Sequence, residues 1–185
     1  MAKTELLEIR LIDMPKFFIA VLFLVTVFSC RKVEEGDYQM TYDKSFQIRA
    51  EWGTIFTHVA EITYWTDWKT FLANNQLTEN EVDRITIRDV IISPLLADPI
   101  SYRFIEEIKV FIFDPNKPNY RIQIASEYPE PNANAGPLYL IPGLAEIKEF
   151  MSKERVGISI EMKFRQFVGS NLDQNIHLVF DVYKK

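Results

Sequence analysis

Beyond residue 42 the chain alternates apolar and polar residues with period two over much of its length, the signature of strands with one buried face. Ser45–Trp52 puts Phe46, Ile48, Ala50 and Trp52 on one side. After Gly53-Thr54 the chain returns through Phe56–Thr63, and the two segments predict a hairpin. Arg84–Ser93 is closed by Pro94, and Phe104–Phe113 is apolar on both faces, as in an inner strand. Tyr120–Ala125 and the short Leu138–Ile141 follow. Near the end, Ile158, Ile160, Met162 and Phe164 alternate against charged residues, and Ile176, Leu178, Phe180 and Val182 do so again. With the loop Gly169–Asp173 between them, Gly157–Val168 and Asn175–Lys184 predict an antiparallel hairpin.

Helical signals are brief. Thr66 or Asp67 can cap a short helix running through Leu72 towards Asn74-Asn75, and Leu144–Met151 has helical spacing. Thr78-Glu79-Asn80-Glu81 has capping-box spacing, in which hydroxyl and carboxylate satisfy each other's orphan amides. About seven strands with two short helices over residues 43–185 predict a mainly β domain, an antiparallel β-sandwich. That pattern resembles the immunoglobulin-like or LEA-like sandwiches of small envelope lipoproteins.

The stretch Lys16 to Cys30 is of another kind. From Phe17 to Ser29 it carries no charge. About 13 residues in a helix reach roughly 20 Å, short of a ~30 Å hydrocarbon core, but the length fits a signal-peptide apolar region. Val27-Phe28-Ser29-Cys30 follows. This resembles the lipobox of bacterial lipoproteins: an aliphatic residue, a small residue before the cut, then the obligate Cys. Phe28 is bulkier than the family's usual occupant. The resemblance implies cleavage after Ser29, lipidation of Cys30 and a membrane anchor; the alternative is a buried apolar element with an incidental Cys. Residues 1–29 are then a signal peptide and 30–42 a lipidated tether. Met1–Asp13 mixes Lys3 and Arg10 with Glu5, Glu8 and Asp13, whereas Met14-Pro-Lys16 is a compact basic start, so Met14 is the expected initiator. Arg31 replaces the Asp that signals inner-membrane retention, and Lys32 followed by Glu34-Glu35 resembles the export signal of surface lipoproteins of the Bacteroidota type. The expected location is the outer membrane of the cell envelope, with outward display following from that signal; a plain solvated linker is the other reading.

Composition narrows the rest. The 185 residues carry 21 Lys and Arg against 26 Asp and Glu, a formal charge of -5 that argues against a nucleic-acid partner. One Cys excludes an intrachain disulfide framework, and two His leave little for a histidine-built metal site. No nucleophile elbow, zincin helix or Gly-rich phosphate loop is present. No catalytic residue, metal or cofactor is therefore assigned, and the domain is expected to be non-enzymatic. His58 and His177 read as strand residues, Asp114-Pro-Asn116 as turn chemistry, and the neighbours Glu106-Glu107 as pointing to opposite faces. Trp65 and Trp68, flanking Asp67, are the candidate ligand-binding pair, since indole faces stack on sugar rings; core-capping residues are the plainer alternative. Tyr128, Tyr139 and the proline loop form a weaker contact candidate. The expected partners are the membrane, through the lipid anchor, and a glycan or an envelope protein.

Overall fold

The computed structural model describes residues 35–96 and 99–185. Cys30, Ser29 and the apolar stretch before them lie outside the described residues. The chain divides at Glu35, and Gly36–Lys185 forms a unit of its own.

Eight strands form this unit: β1 (Tyr38–Ile48), β2 (His58–Trp65), β3 (Val82–Pro94), β4 (Ile105–Asp114), β5 (Lys117–Glu127), β6 (Leu138–Pro142), β7 (Arg155–Phe164) and β8 (Leu172–Lys184). Two short helices, α1 (Trp68–Asn74) and α2 (Lys148–Met151), lie in the connections β2–β3 and β6–β7. Every pairing is antiparallel, in the order β1-β8-β3-β6-β5-β4-β7-β2. β6 is the corner: Leu138–Leu140 pair with β3, and Ile141 and Pro142 pair with β5. The ribbon thus folds into two layers, β1-β8-β3-β6 and β2-β7-β4-β5, whose inner faces share one core. Mainly β and sandwich-like, this is what the alternation predicts, and the strand order is that of an eight-stranded jelly roll.

The core is assembled from the alternating positions. Ile48, Ile85, Val90, Ile92, Leu178, Phe180 and Val182 come from one layer. Ile108, Val110, Ile112, Ile124, Ile158, Ile160, Met162 and Phe164 come from the other. Ile147, Phe150 and Met151 plug one end of the sandwich, with Trp68 and Leu77 from the β2–β3 connection also buried.

The pairing departs from the expected hairpins. β1 pairs with β8, and β2 with β7, so the early segments are opposite edges of the ribbon. β7 and β8 likewise belong to different layers. Alternation reports which face of a strand is buried and is blind to the neighbour; a strand crossing to the facing layer alternates as well as one in a hairpin. β4 and β5, joined by a tight turn at Asp114–Lys117, do form a hairpin. Two boundaries also move. β1 begins at Tyr38, inside the stretch assigned to the tether, because Met40 and Tyr42 are already core residues. The second helix is only Lys148–Met151, with Leu144 fully out in solvent. The capping box forms as read: the Thr78 amide and hydroxyl each donate to Glu81 Oε2 at 2.8 Å.

Candidate functional site

The two tryptophans part company. Trp65 is the last residue of β2, where period-two alternation sends Tyr64 into the core and Trp65 outward, 61% exposed. Trp68 opens α1 and is 4% exposed. A spacing of three marks a shared face only within one helix, and here the chain changes from strand to helix between the two residues. They therefore form no joint stacking platform. Trp65 carries the Arg155 guanidinium 5.5 Å from its ring, and Arg155 is its register partner on β7. Trp68 stacks on Phe71 at 5.9 Å, and Phe71 meets Tyr38 edge-on at 6.3 Å.

The same aromatic group fills the gap between the edge strands β1 and β2. Tyr42 and Tyr64 lie 5.0 Å apart, with Lys44 Nζ 5.0 Å above the Tyr64 ring. The Asp67 amide donates to the Tyr42 hydroxyl at 3.4 Å. Burial pushes the Tyr42 hydroxyl up to about 12, and desolvation raises Tyr64 further. Tyrosines so perturbed stay protonated at any ordinary pH, which suits a packing role rather than proton transfer.

The charges on the outer face of β2-β7-β4-β5 are self-paired. A register shift between Ile105 and Glu107 places Glu106 and Glu107 both outward, against the expectation that neighbours diverge. Glu106 pairs with Lys163 at 2.8 Å and Glu107 with Lys109 at 2.7 Å. Hydrogen bonds from Lys109 and then Tyr128 hold the Glu107 carboxyl below its usual range. Arg121 bridges to Glu161 at 2.5 Å and covers the Phe111 ring at 4.7 Å. Charges neutralised in this way have little left for a reaction or a ligand.

The histidines are structural. His58 donates to the Gly53 carbonyl at 2.8 Å and packs with Trp52 and Phe164 in a three-ring cluster, every pair of ring centroids within 6.0 Å. His177 lies 2.9 Å from Asp43. The Asn116 amide donates to Asp114 Oδ1 at 2.8 Å, as the turn reading expects. Among the described residues no group of three His, Cys, Asp or Glu is placed to hold a metal, and no helix is long and apolar enough to cross a membrane. Tyr128 and Tyr139 are exposed, and the Tyr128 hydroxyl is engaged by Glu107.

The feature that sequence reasoning missed is at one end of the sandwich. Strand directions put 49–57, 95–96, 99–104, 128–137 and 165–171, the described residues of the connections after β1, β3, β5 and β7, at the same end. Ile55 (81% exposed), Phe56 (70%), Leu95, Leu96 (73%) and Phe167 (74%) all stand out from these loops. The loops are braced against each other. The Ala50 amide donates to Asn171 Oδ1 at 2.9 Å, the Leu95 amide donates to the Asp173 carbonyl at 3.0 Å, and Gly53 faces the Phe167 ring.

No protein-family model and no curated protein matches the chain. Among solved structures it is similar to the empty head of turnip yellow mosaic virus at 100 K, with 12% identity, 85% of this chain and 88% of that chain covered, and a TM-score of 0.26. A second turnip yellow mosaic virus structure gives 12% identity with the same coverage and a TM-score of 0.24. Desmodium yellow mottle tymovirus gives 10% identity, 85% and 95% coverage, and a TM-score of 0.22. Overlaps this loose carry no argument, and the jelly-roll assignment rests on the strand order.

Proposed function

We propose that the protein is a lipid-anchored lipoprotein of the outer membrane whose β-sandwich is a non-enzymatic binding or structural module. The anchor rests on Val27-Phe28-Ser29-Cys30, the single Cys closing the one long apolar run. Acyl chains there, at roughly 0.8 kcal/mol per buried CH₂, hold a protein essentially permanently. The observation that carries the binding role is the cluster of five exposed apolar side chains on braced loops, since exposed patches of this kind mark interaction sites. This supports assembly with another envelope component. Radiolabelled palmitate should enter the wild-type chain and be lost in Cys30→Ser; label retained in the variant would refute the anchor.

A glycan-binding accessory role in polysaccharide uptake is the second reading, and it narrows to Trp65, whose exposed indole beside Arg155 leaves one stacking face. In a glycan array Trp65→Ala should lose binding and Trp68→Phe should retain it. Equal binding by wild type and Trp65→Ala would end that reading.

A further inference from the structure

We infer that Lys44 guards the open side of the sandwich, keeping the β1 edge from pairing with that of a second copy of this chain. β1 and β2 are the ends of the ribbon, each paired along one edge only, β1 to β8 and β2 to β7. They run for eleven and eight residues, and among the described residues no backbone hydrogen bond joins one to the other. Their outward side chains stand in solvent, Val59 among them at 45%. Unpaired edges of this length are templates for another chain's strand unless something on them prevents it.

β1 breaks its own pattern at one place. Met40, Tyr42, Phe46 and Ile48 are its buried inward residues, and the inward position between Tyr42 and Phe46 holds a half-buried lysine. Its Nζ reaches across to β2 and lies 5.0 Å from the centroid of the Tyr64 ring. Lys44 makes no ion pair among the described residues; Asp43 beside it points to the opposite face, where His177 holds it at 2.9 Å. A lysine so placed buries its stem and keeps its head in water. From an inward position it reaches that water only through the gap between the two edges.

A strand added along β1 would lay its own inward side chains over that gap, beside Tyr42 and Phe46. The ammonium would lose its water with no carboxylate to offset the loss. Identical edges meet about a two-fold axis, and the centre of Tyr38–Ile48 is Asp43, so full overlap also sets Asp43 opposite its own counterpart. Like charges directly opposite repel. A shift of register relieves the aspartates but leaves both lysines enclosed, which makes Lys44 the decisive obstacle. Because its Nζ stands on a ring of β2, the same lysine obstructs that edge as well.

The test uses the full chain with Cys30→Ser as parent, so that a single introduced thiol carries a nitroxide. The label sits at Ser45→Cys on the outward face of β1, or at Asn119→Cys on β5, three strands from β2. The parent and Lys44→Arg should show no dipolar coupling between labels at 45. Lys44→Met keeps the stem and drops the charge. It should give coupling at 45 that grows with protein concentration and is absent at 119, with association at least about tenfold tighter than in the parent. Lys44→Ala should do the same without placing new atoms in the core, and both variants should melt with the parent. A charge-free variant that stays uncoupled at 45 would overturn the proposal, as would coupling in Lys44→Arg or in the parent itself. Equal coupling at 45 and 119 would do so too, since it marks association that is not through this edge.

Discussion

Gly157 on β7 is the position where a single methyl group should do most damage. Its backbone is not in the left-handed region, so alanine is allowed by conformation. Space is the constraint: a Cβ there would stand 2.5 Å from Cε1 and Cε2 of Phe113 and closer still to Cζ. Phe113 is the register partner of Gly157, and it lies on the outer face of the sheet yet is 5% exposed. The ring is therefore buried by lying flat over the glycine. In Gly157→Ala the ring must lift by more than 1 Å, roughly, to reach ordinary contact at about 3.5–4 Å. It then gives up much of the burial that is worth about 1.5–3 kcal/mol for a phenylalanine. Against this stands a gain of about 0.5–1 kcal/mol from replacing glycine in a strand, leaving a net loss of about 1–2 kcal/mol. For a domain of this size that lowers Tm by about 2–8 °C. The decisive assay is a double-mutant cycle by urea unfolding with Gly157→Ala, Phe113→Ala and the pair. Once Phe113 is alanine, Gly157→Ala should be neutral or stabilising. If it destabilises both backgrounds equally, the ring is not what the glycine accommodates.

Three further outcomes follow from named contacts. Tyr102 donates to Gln174 Oε1 at 2.6 Å and both residues are buried, so Tyr102→Phe strands an acceptor and should cost about 1–3 kcal/mol in urea unfolding, with the rate of exchange of neighbouring amides rising. Asp181 is 4% exposed and its Oδ1 has Arg88 Nη1 at 3.7 Å; Arg88→Met should destabilise by about 2 kcal/mol, and adding Asp181→Asn should recover part of it, as read by thermal unfolding. Asp43 is held below the usual carboxylate range by hydrogen bonds from His177 and then Asn175. A depressed folded pKa gives stability that is complete above the unfolded value near 3.9 and is lost as pH falls through the folded one. Asp43→Asn should therefore flatten the stability profile on the acid side of about pH 4, by only a few tenths of a kcal/mol because the carboxylate is largely exposed.

What the chain declares about itself is local. The alternations Ile158–Phe164 and Ile176–Val182 identify buried faces correctly, since each strand must hide every second side chain. The capping box at Thr78–Glu81 and the Asx turn at Asp114–Asn116 were equally readable, because each satisfies its own backbone within a few residues. Partners were not readable, whereas the change from strand to helix between Trp65 and Trp68 was, at the cap position offered by Thr66 or Asp67. Tyr38, Met40 and Tyr42 do alternate with Gln39 and Thr41, a signal hidden by the polar run just before it.

The apolar end of the sandwich shows why the strand partners matter. Read as hairpins, the loops after Ile48 and after Phe164 are isolated turns with no reason to meet. In the jelly roll each loop instead crosses from one layer to the other, a gap of about 10 Å. Ile48 pairs with Leu172, so the two crossings have neighbouring ends in one layer; His58 pairs with Met162, so they have neighbouring ends in the other. Two loops with both ends adjacent must run side by side over the end of the core, which brings Ile55 and Phe56 together with Phe167. Leu95 joins them because β3 pairs with β8 up to Pro94 and Gln174, three residues from Asn171 where the crossing ends, and the Leu95 amide goes on to the Asp173 carbonyl. The cluster is thus a product of long-range pairing alone, and a change that unpaired β1 from β8 would disperse it without touching any of its five side chains.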